Sequence, residues 1–98
     1  MSKKTQIIKE IAAHVRSRGG SYSSWYVGVA SKPRERLFRD HNVSEKNGLW
    51  IFRTCASSAE ARAIERNFLG KGMQGGGGGG DHSTTVVTAY KITSSTRE

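Results

Sequence analysis

Six consecutive glycines at positions 75–80 divide this 98-residue chain into two unequal parts. Glycine loses more backbone freedom on ordering than any other residue and brings no side chain to pack, so neither a helix nor a strand is expected to run through them. The run is not a dinucleotide-binding fingerprint, because no strand leads into it and its glycines keep no periodic Gly-x-Gly frame. Its composition is that of a flexible tether over residues 70–83, although backbone N–H groups in such a run can also meet phosphate. Whatever follows must therefore return to the body of the protein over a long connection. Residues 84–93 do follow, as Thr-Thr-Val-Val-Thr-Ala-Tyr-Lys-Ile-Thr, a segment of high strand propensity with Tyr90 on one face beside Val86, Thr88 and Ile92.

The part before the glycines alternates between two periodicities. Over residues 5–17, Ile7, Ile8, Ile11, Ala12 and Val15 recur on one helical face, with Thr5 as a start signal and Gly19-Gly20 as a stop. His14 borders that stripe, and no second His or Cys stands at metal-ligand spacing nearby. Residues 24–30 alternate as a strand, with Trp25, Val27 and Val29 on one face and Tyr26, Gly28 and Ala30 on the other. Gly28 in a strand interior implies either a close approach of a ligand or backbone, or a bulge. Ser31-Lys32-Pro33 opens a helix to about residue 41, on which Leu37, Phe38 and His41 share a face while Arg36, Arg39 and Asp40 lie away from it. Residues 49–54 form a second strand. Ser57 and Glu60 form a capping box for a helix that reaches Leu69 and stops at Gly70 and Gly72.

The resulting order, helix, strand, helix, strand, helix, strand, predicts a single small α/β (α+β) domain. Its three-stranded, mostly antiparallel sheet is flanked by three helices. No apolar run approaches the roughly 20 residues that span a bilayer, so no membrane association is expected. Lys9, Glu10 and His14 break the apolar stretch that a signal peptide would need. Cys55 is the only cysteine, which excludes a disulfide framework and a cysteine-based zinc site and predicts a cytoplasmic setting.

Sixteen Lys and Arg against eight Asp and Glu give a net charge of +8. On so short a chain this field favours a polyanionic partner, nucleic acid above all, over a merely well-solvated surface. Lys32, Arg34, Arg39 and Lys71 are the candidate phosphate contacts.

Glu65 is the most informative single residue. With Ala61 as origin, Ile64 falls about 60° to one side of the helical wheel and Glu65 about 40° to the other, so the carboxylate lies inside the apolar arc. A carboxylate placed there must find a cation, a metal ion or hydrogen bonds, or take up a proton. The alternatives are a metal or catalytic site and a structural ion pair with an arginine of the 33–41 helix. Tyr26 shares its strand face with Gly28, and Arg36 follows ten residues later, a spacing that a strand–turn–helix unit can bring toward a common site. A Tyr, an Arg and a Glu suit phosphodiester cleavage. The Glu can hold a divalent cation, the Arg can neutralise phosphate charge, and the Tyr can position or deprotonate water.

Tyr26-Val27-Gly28, Arg34-Glu35-Arg36-Leu37, His41-Asn42 and Ala61-Arg62-Ala63-Ile64-Glu65 together resemble the GIY-YIG nuclease superfamily over about residues 24–70. The resemblance implies a metal-dependent DNA endonuclease. In it Tyr26 is the general base or water-orienting group, Arg36 stabilises the phosphate and transition state, and Glu65 is the protein ligand of Mg²⁺ or Mn²⁺. His41 lies one residue beyond the family's His/Tyr position and on the Leu37/Phe38 face, which leaves core packing and catalysis both open for it. The first half of the family's name motif and its terminal asparagine are missing from their usual places.

The missing strand leads to a topological expectation. A sheet built on residues 24–30 would carry an uncovered edge. Residues 85–92 are available to pair antiparallel with it, in the manner of a circular permutation across the glycine run. Tyr90 would then stand near Tyr26 and substitute for the absent family tyrosine, or else simply pack at a sheet edge. Two further readings stand beside the nuclease: a nucleic-acid-binding module that keeps the fold without cleavage, and a basic protein-interaction domain for an acidic partner.

Overall fold

The computed structural model describes residues 3–18, 21–44, 46, 49–75, 84–93 and 96. Helix α1 (Lys3–Ser17) is followed by a 3-10 turn (Tyr22–Ser24), strand β1 (Trp25–Ala30), a π-helix (Glu35–Asp40), strand β2 (Trp50–Thr54), helix α2 (Ser58–Gly70) and strand β3 (Val86–Lys91). The sheet order is β1-β3-β2, with both pairings antiparallel. This is the expected α+β domain, a three-stranded antiparallel sheet with helical segments on both faces. No helix among the described residues is long and apolar enough to cross a membrane.

The C-terminal strand pairs with β1 as expected, Tyr26 opposite Tyr90 and Gly28 opposite Thr88. It also pairs with β2 on its other side, Trp50 opposite Tyr90 and Phe52 opposite Thr88, which makes it the central strand. Centrality explains its composition. Val86, Val87, Thr88, Ala89 and Tyr90 are all buried, and β-branched residues and an aromatic suit a strand covered on both faces.

Strand alternation sends the residues to two different cores. On the back of the sheet, Trp25, Val27, Ile51, Val87 and Ala89 pack with Ile7, Ile11 and Val15 of α1 and Ala61, Ile64 and Phe68 of α2. On the front, Tyr90 packs with Leu37 and Val43, and Tyr26, Phe38, Trp50, Phe52 and Ile92 gather against them. An ion pair between Glu10 of α1 and Arg53 of β2, Oε1 to Nε 2.8 Å, ties the first helix to the outer strand.

Several local expectations are corrected. Helix α1 begins at Lys3, so Thr5 lies within it and does not cap it. The stop at Gly19-Gly20 lies outside the described residues. β1 runs in regular register through Gly28, so there is no bulge there. The 33–41 segment is not a continuous α-helix. It widens to π geometry, the His41 N–H reaching the Arg36 carbonyl at 2.9 Å and the Val43 N–H reaching that of Leu37 at 2.9 Å. Asn42 closes the turn at φ +56°, a left-handed conformation that asparagine tolerates better than most residues. This closure turns both His41 and Val43 onto the sheet.

The capping box is present. The Glu60 N–H donates to Ser57 Oγ at 3.1 Å, while the Glu60 carboxylate accepts from the Ala56 N–H at 3.2 Å. Gly70 is the last residue of α2, and the chain turns at Gly72, φ +112°. There the Met73 N–H donates to the Phe68 carbonyl and the Gly72 N–H to that of Leu69, each at 3.1 Å, a Schellman closure sealed by Met73 against the core.

Residues 71–74, at the start of the 70–83 segment, are thus held by backbone hydrogen bonds. Gln74 continues along the free edge of β1, exchanging 2.9 Å hydrogen bonds with Trp25 and Val27. At Gly75 a Cβ would fall 3.0 Å from the Val27 carbonyl oxygen and 2.5 Å from Leu69 Cδ2, so any other residue there would have to displace the Leu69 side chain and crowd the β1 backbone. Residues 76–83, which carry the rest of the tether expectation, lie outside the described residues.

Candidate active site

Two rows of side chains cross the front of the sheet. Tyr26, Tyr90 and Trp50 form one, and Gly28, Thr88 and Phe52 the other, each set by the register of three antiparallel strands. The π-helix lies over them and delivers His41. The rings of Tyr26 and Tyr90 stack with centroids 5.3 Å apart and planes 24° from parallel. The His41 ring stands 5.2 Å from Tyr26 and 4.9 Å from Tyr90. His41 Nδ1 and the Tyr90 hydroxyl are 3.1 Å apart, a buried hydrogen bond between residues 49 apart in sequence. Either group can be the donor, since the imidazole tautomer decides the direction.

Their exposures differ in a way that matters. Tyr90 is completely buried, His41 nearly so, and Tyr26 only half-buried. A ligand arriving from solvent therefore meets Tyr26 first, with the His41–Tyr90 pair behind it. Gly28 leaves room beside the Tyr26 ring. A Cβ there would lie 3.8 Å from Tyr26 Cε1 and 3.6 Å from Thr88 Oγ1, ordinary contact distances, so internal packing does not demand the glycine.

Glu65 is buried on α2, 5% exposed, as its place in the apolar arc implies. Burial pushes its carboxyl above the usual carboxylate range, opposed by the nearby charges of Arg62 and Arg66. It makes no hydrogen bond or ion pair among the described residues, so the structural ion pair with a 33–41 arginine is not formed. Those arginines are engaged elsewhere. Arg36, half-exposed, lies 3.6 Å from Asp40. Arg39 lies 4.0 Å from Glu35 and 3.6 Å from Asp40. The Arg34 guanidinium sits over the Phe52 ring at 5.7 Å.

The structure thus brings Tyr26, His41 and Tyr90 together. It leaves Arg36 on the exposed side of the π-helix, and no described contact joins Glu65 to the aromatic cluster. Lys32, Arg34 and Arg39 are exposed along one stretch of chain, while Lys71 is exposed at the end of α2, on a different element. No group of three or more His, Cys, Asp or Glu converges among the described residues. Glu65 is the buried carboxylate on α2 that could take a cation.

Trp50 and Phe52, to which the sequence assigned no role beyond their strand, continue the aromatic surface from Tyr90 to β2, joined by Phe38. The alternation of Trp50 and Phe52 within residues 49–54 was the available signal. No family model, curated protein or solved structure matches the chain.

Proposed function

We propose that the protein is a divalent-metal-dependent endonuclease of the GIY-YIG kind, hydrolysing DNA phosphodiester bonds in a cytoplasmic setting. The observation that carries this reading is the pairing of Tyr26 with Tyr90 across β1 and β3, with His41 hydrogen-bonded to the second tyrosine. It sets two tyrosines side by side on adjacent strands, where the sequence lacks the first half of the family's name motif.

Tyr26, nearest solvent, orients the attacking water. Tyr90 and His41 form a hydrogen-bonded pair through which a proton can leave that water, provided Nδ1 is the acceptor. Arg36 neutralises the phosphate. Its exposed pairing with Asp40 is worth little and is readily exchanged for a phosphate oxygen. Glu65 is the residue to hold Mg²⁺ or Mn²⁺, since a buried carboxylate with no described polar partner is suited to a cation. When bound there, such an ion would supply positive charge to a phosphate brought to that carboxylate on α2. The net charge of +8 draws DNA to the surface.

The second reading, a nucleic-acid-binding module that does not cleave, is favoured by the separation of Glu65 and Arg36 from the aromatic cluster. Nicking of supercoiled plasmid with Mg²⁺ or Mn²⁺ decides between the two. Wild type is expected to nick and Glu65→Gln to lose nicking while binding DNA as before. Salt-sensitive binding without nicking under either ion makes the module reading correct.

A further inference from the structure

The outer strand carries an aromatic surface that the proposed chemistry leaves unused. Trp50 and Phe52 project from β2 onto the front of the sheet with ring centroids 5.8 Å apart and planes 9° from parallel. Phe38 of the π-helix meets Trp50 edge-on at 5.1 Å. The Arg34 guanidinium lies over Phe52, and Lys32, Pro33, Arg34, Glu35 and Phe52 line a shallow cavity of about 300 Å³. Phe38, Trp50 and Phe52 all remain only half-buried. Flat, nearly parallel rings kept partly open beneath cations are what a planar, electron-rich ligand with negative charge attached to it requires.

We propose that Phe52, beside Trp50, is a stacking platform for an unpaired nucleobase of a DNA strand, the base taking the ring face over which Arg34 lies in the free protein and Lys32 and Arg34 meeting the flanking phosphates. The proposal rests on the nucleic-acid reading above and names the substrate class it implies, DNA with an unpaired base beside the scissile phosphate. Charge complementarity favours this occupant over an apolar peptide, because the approach is lined by Lys32 and Arg34 on a chain of net charge +8. Position favours it as well. Trp50 is the direct neighbour of Tyr90 in the sheet, and β1 and β2 stand two strand spacings apart, about 10 Å. A strand whose phosphate reaches Tyr26 can therefore lay an adjacent base on Phe52. A base within a duplex is already stacked on both faces and has none to offer.

The test compares oligo-dT with an abasic oligomer of equal length and charge, by fluorescence anisotropy at fixed salt. Wild type is expected to bind oligo-dT about tenfold more tightly, the scale of one base–aromatic stack. Oligo-dT should also quench the emission of Trp50, whereas Trp25 is fully buried and should not respond. Phe52→Leu keeps apolar bulk and should erase the preference for bases, while Phe52→Tyr should retain it. Equal binding of the two oligomers by wild type overturns the platform but leaves the nuclease reading standing if plasmid is still nicked. Failure to bind either oligomer, together with absence of nicking, sinks both. A concentration-dependent dimer that shields Trp50 from a neutral quencher would make a second copy of the chain the occupant and also overturn the proposal.

Discussion

The two faces of the sheet are built on different rules. Behind it, Trp25, Val27, Ile51, Val87 and Ala89 meet the apolar stripes of α1 and α2 in an almost wholly hydrocarbon layer. Such a layer gains free energy for every group it removes from water and asks only for good packing. In front, hydroxyls and an imidazole are buried among Leu37, Val43 and the aromatic rings. Each of those polar groups costs stability unless it finds a partner, and the His41–Tyr90 bond is how two of them do. The back holds the fold together, and the front accepts the cost of burying polar groups. The back layer has its own exceptions. Glu65 is buried there without a described partner, and His14 Nε2 and Trp25 Nε1 are both buried and unbonded, their rings edge to face at 5.7 Å.

This contrast is open to test, starting with the largest effect. Phe68→Ala opens a cavity in the back layer and should destabilise the protein by about 3–5 kcal/mol in urea unfolding. A loss below that of a front-face change would reverse the ranking of the two cores. Tyr90→Phe keeps the ring and removes the hydroxyl that serves His41. It should cost about 1–2 kcal/mol and remove most nicking activity, whereas undiminished nicking would reduce Tyr90 to packing.

The third change has the opposite sign. Glu65 has a raised folded-state pKa, so the folded form favours the neutral carboxyl. Its contribution to stability is fully present below its unfolded value of 4.5 and is lost as pH rises through the folded value. Glu65→Gln should therefore raise the melting temperature at neutral pH and flatten its fall between mildly acid and neutral conditions. His14 works in the other direction. Burial, with the charges of Arg18 and Arg53, lowers its pKa, so its contribution is present above the ordinary histidine value of 6.5 and lost as pH falls through the folded value. His14→Gln should abolish that acid-side loss in a pH series of melting temperatures. The smallest effect on stability belongs to Arg36→Ala, within about 0.5 kcal/mol, because an exposed i,i+4 pair contributes little. The same variant should impair nicking more than DNA binding. Equal losses in both would make Arg36 an ordinary surface charge.

Much of the fold could be read from residues close in sequence. The apolar spacing of Ile7, Ile11 and Val15, the alternation about Trp25 and Val27, and the Ser57–Glu60 box are local patterns, and local backbone geometry answers to them. The burial of Glu65 was legible for the same reason, since a helical wheel needs no tertiary information. Even the return of the last strand to β1 followed from one uncovered edge and one unassigned strand.

Other features depended on contacts that no local pattern encodes. That β3 pairs on both sides, and so becomes the central strand, depends on β2 arriving at its second edge with Trp50 beside Tyr90. The π-helix arises from a competition between regular helical bonding and the burial of His41 and Val43 on the sheet, a balance invisible to a 3.6-residue period. The ordering of Gln74 and Gly75 follows from the edge of β1 needing hydrogen-bond partners, which outweighs the flexibility of the glycines. Residue types and their periodicities determined which segments would be helix or strand and which side chains would turn inward. The partners those side chains found, His41 for Tyr90 and Arg53 for Glu10, were decided in three dimensions. Pairing energies depend on distances between residues far apart in the chain, and those distances exist only once the sheet has formed.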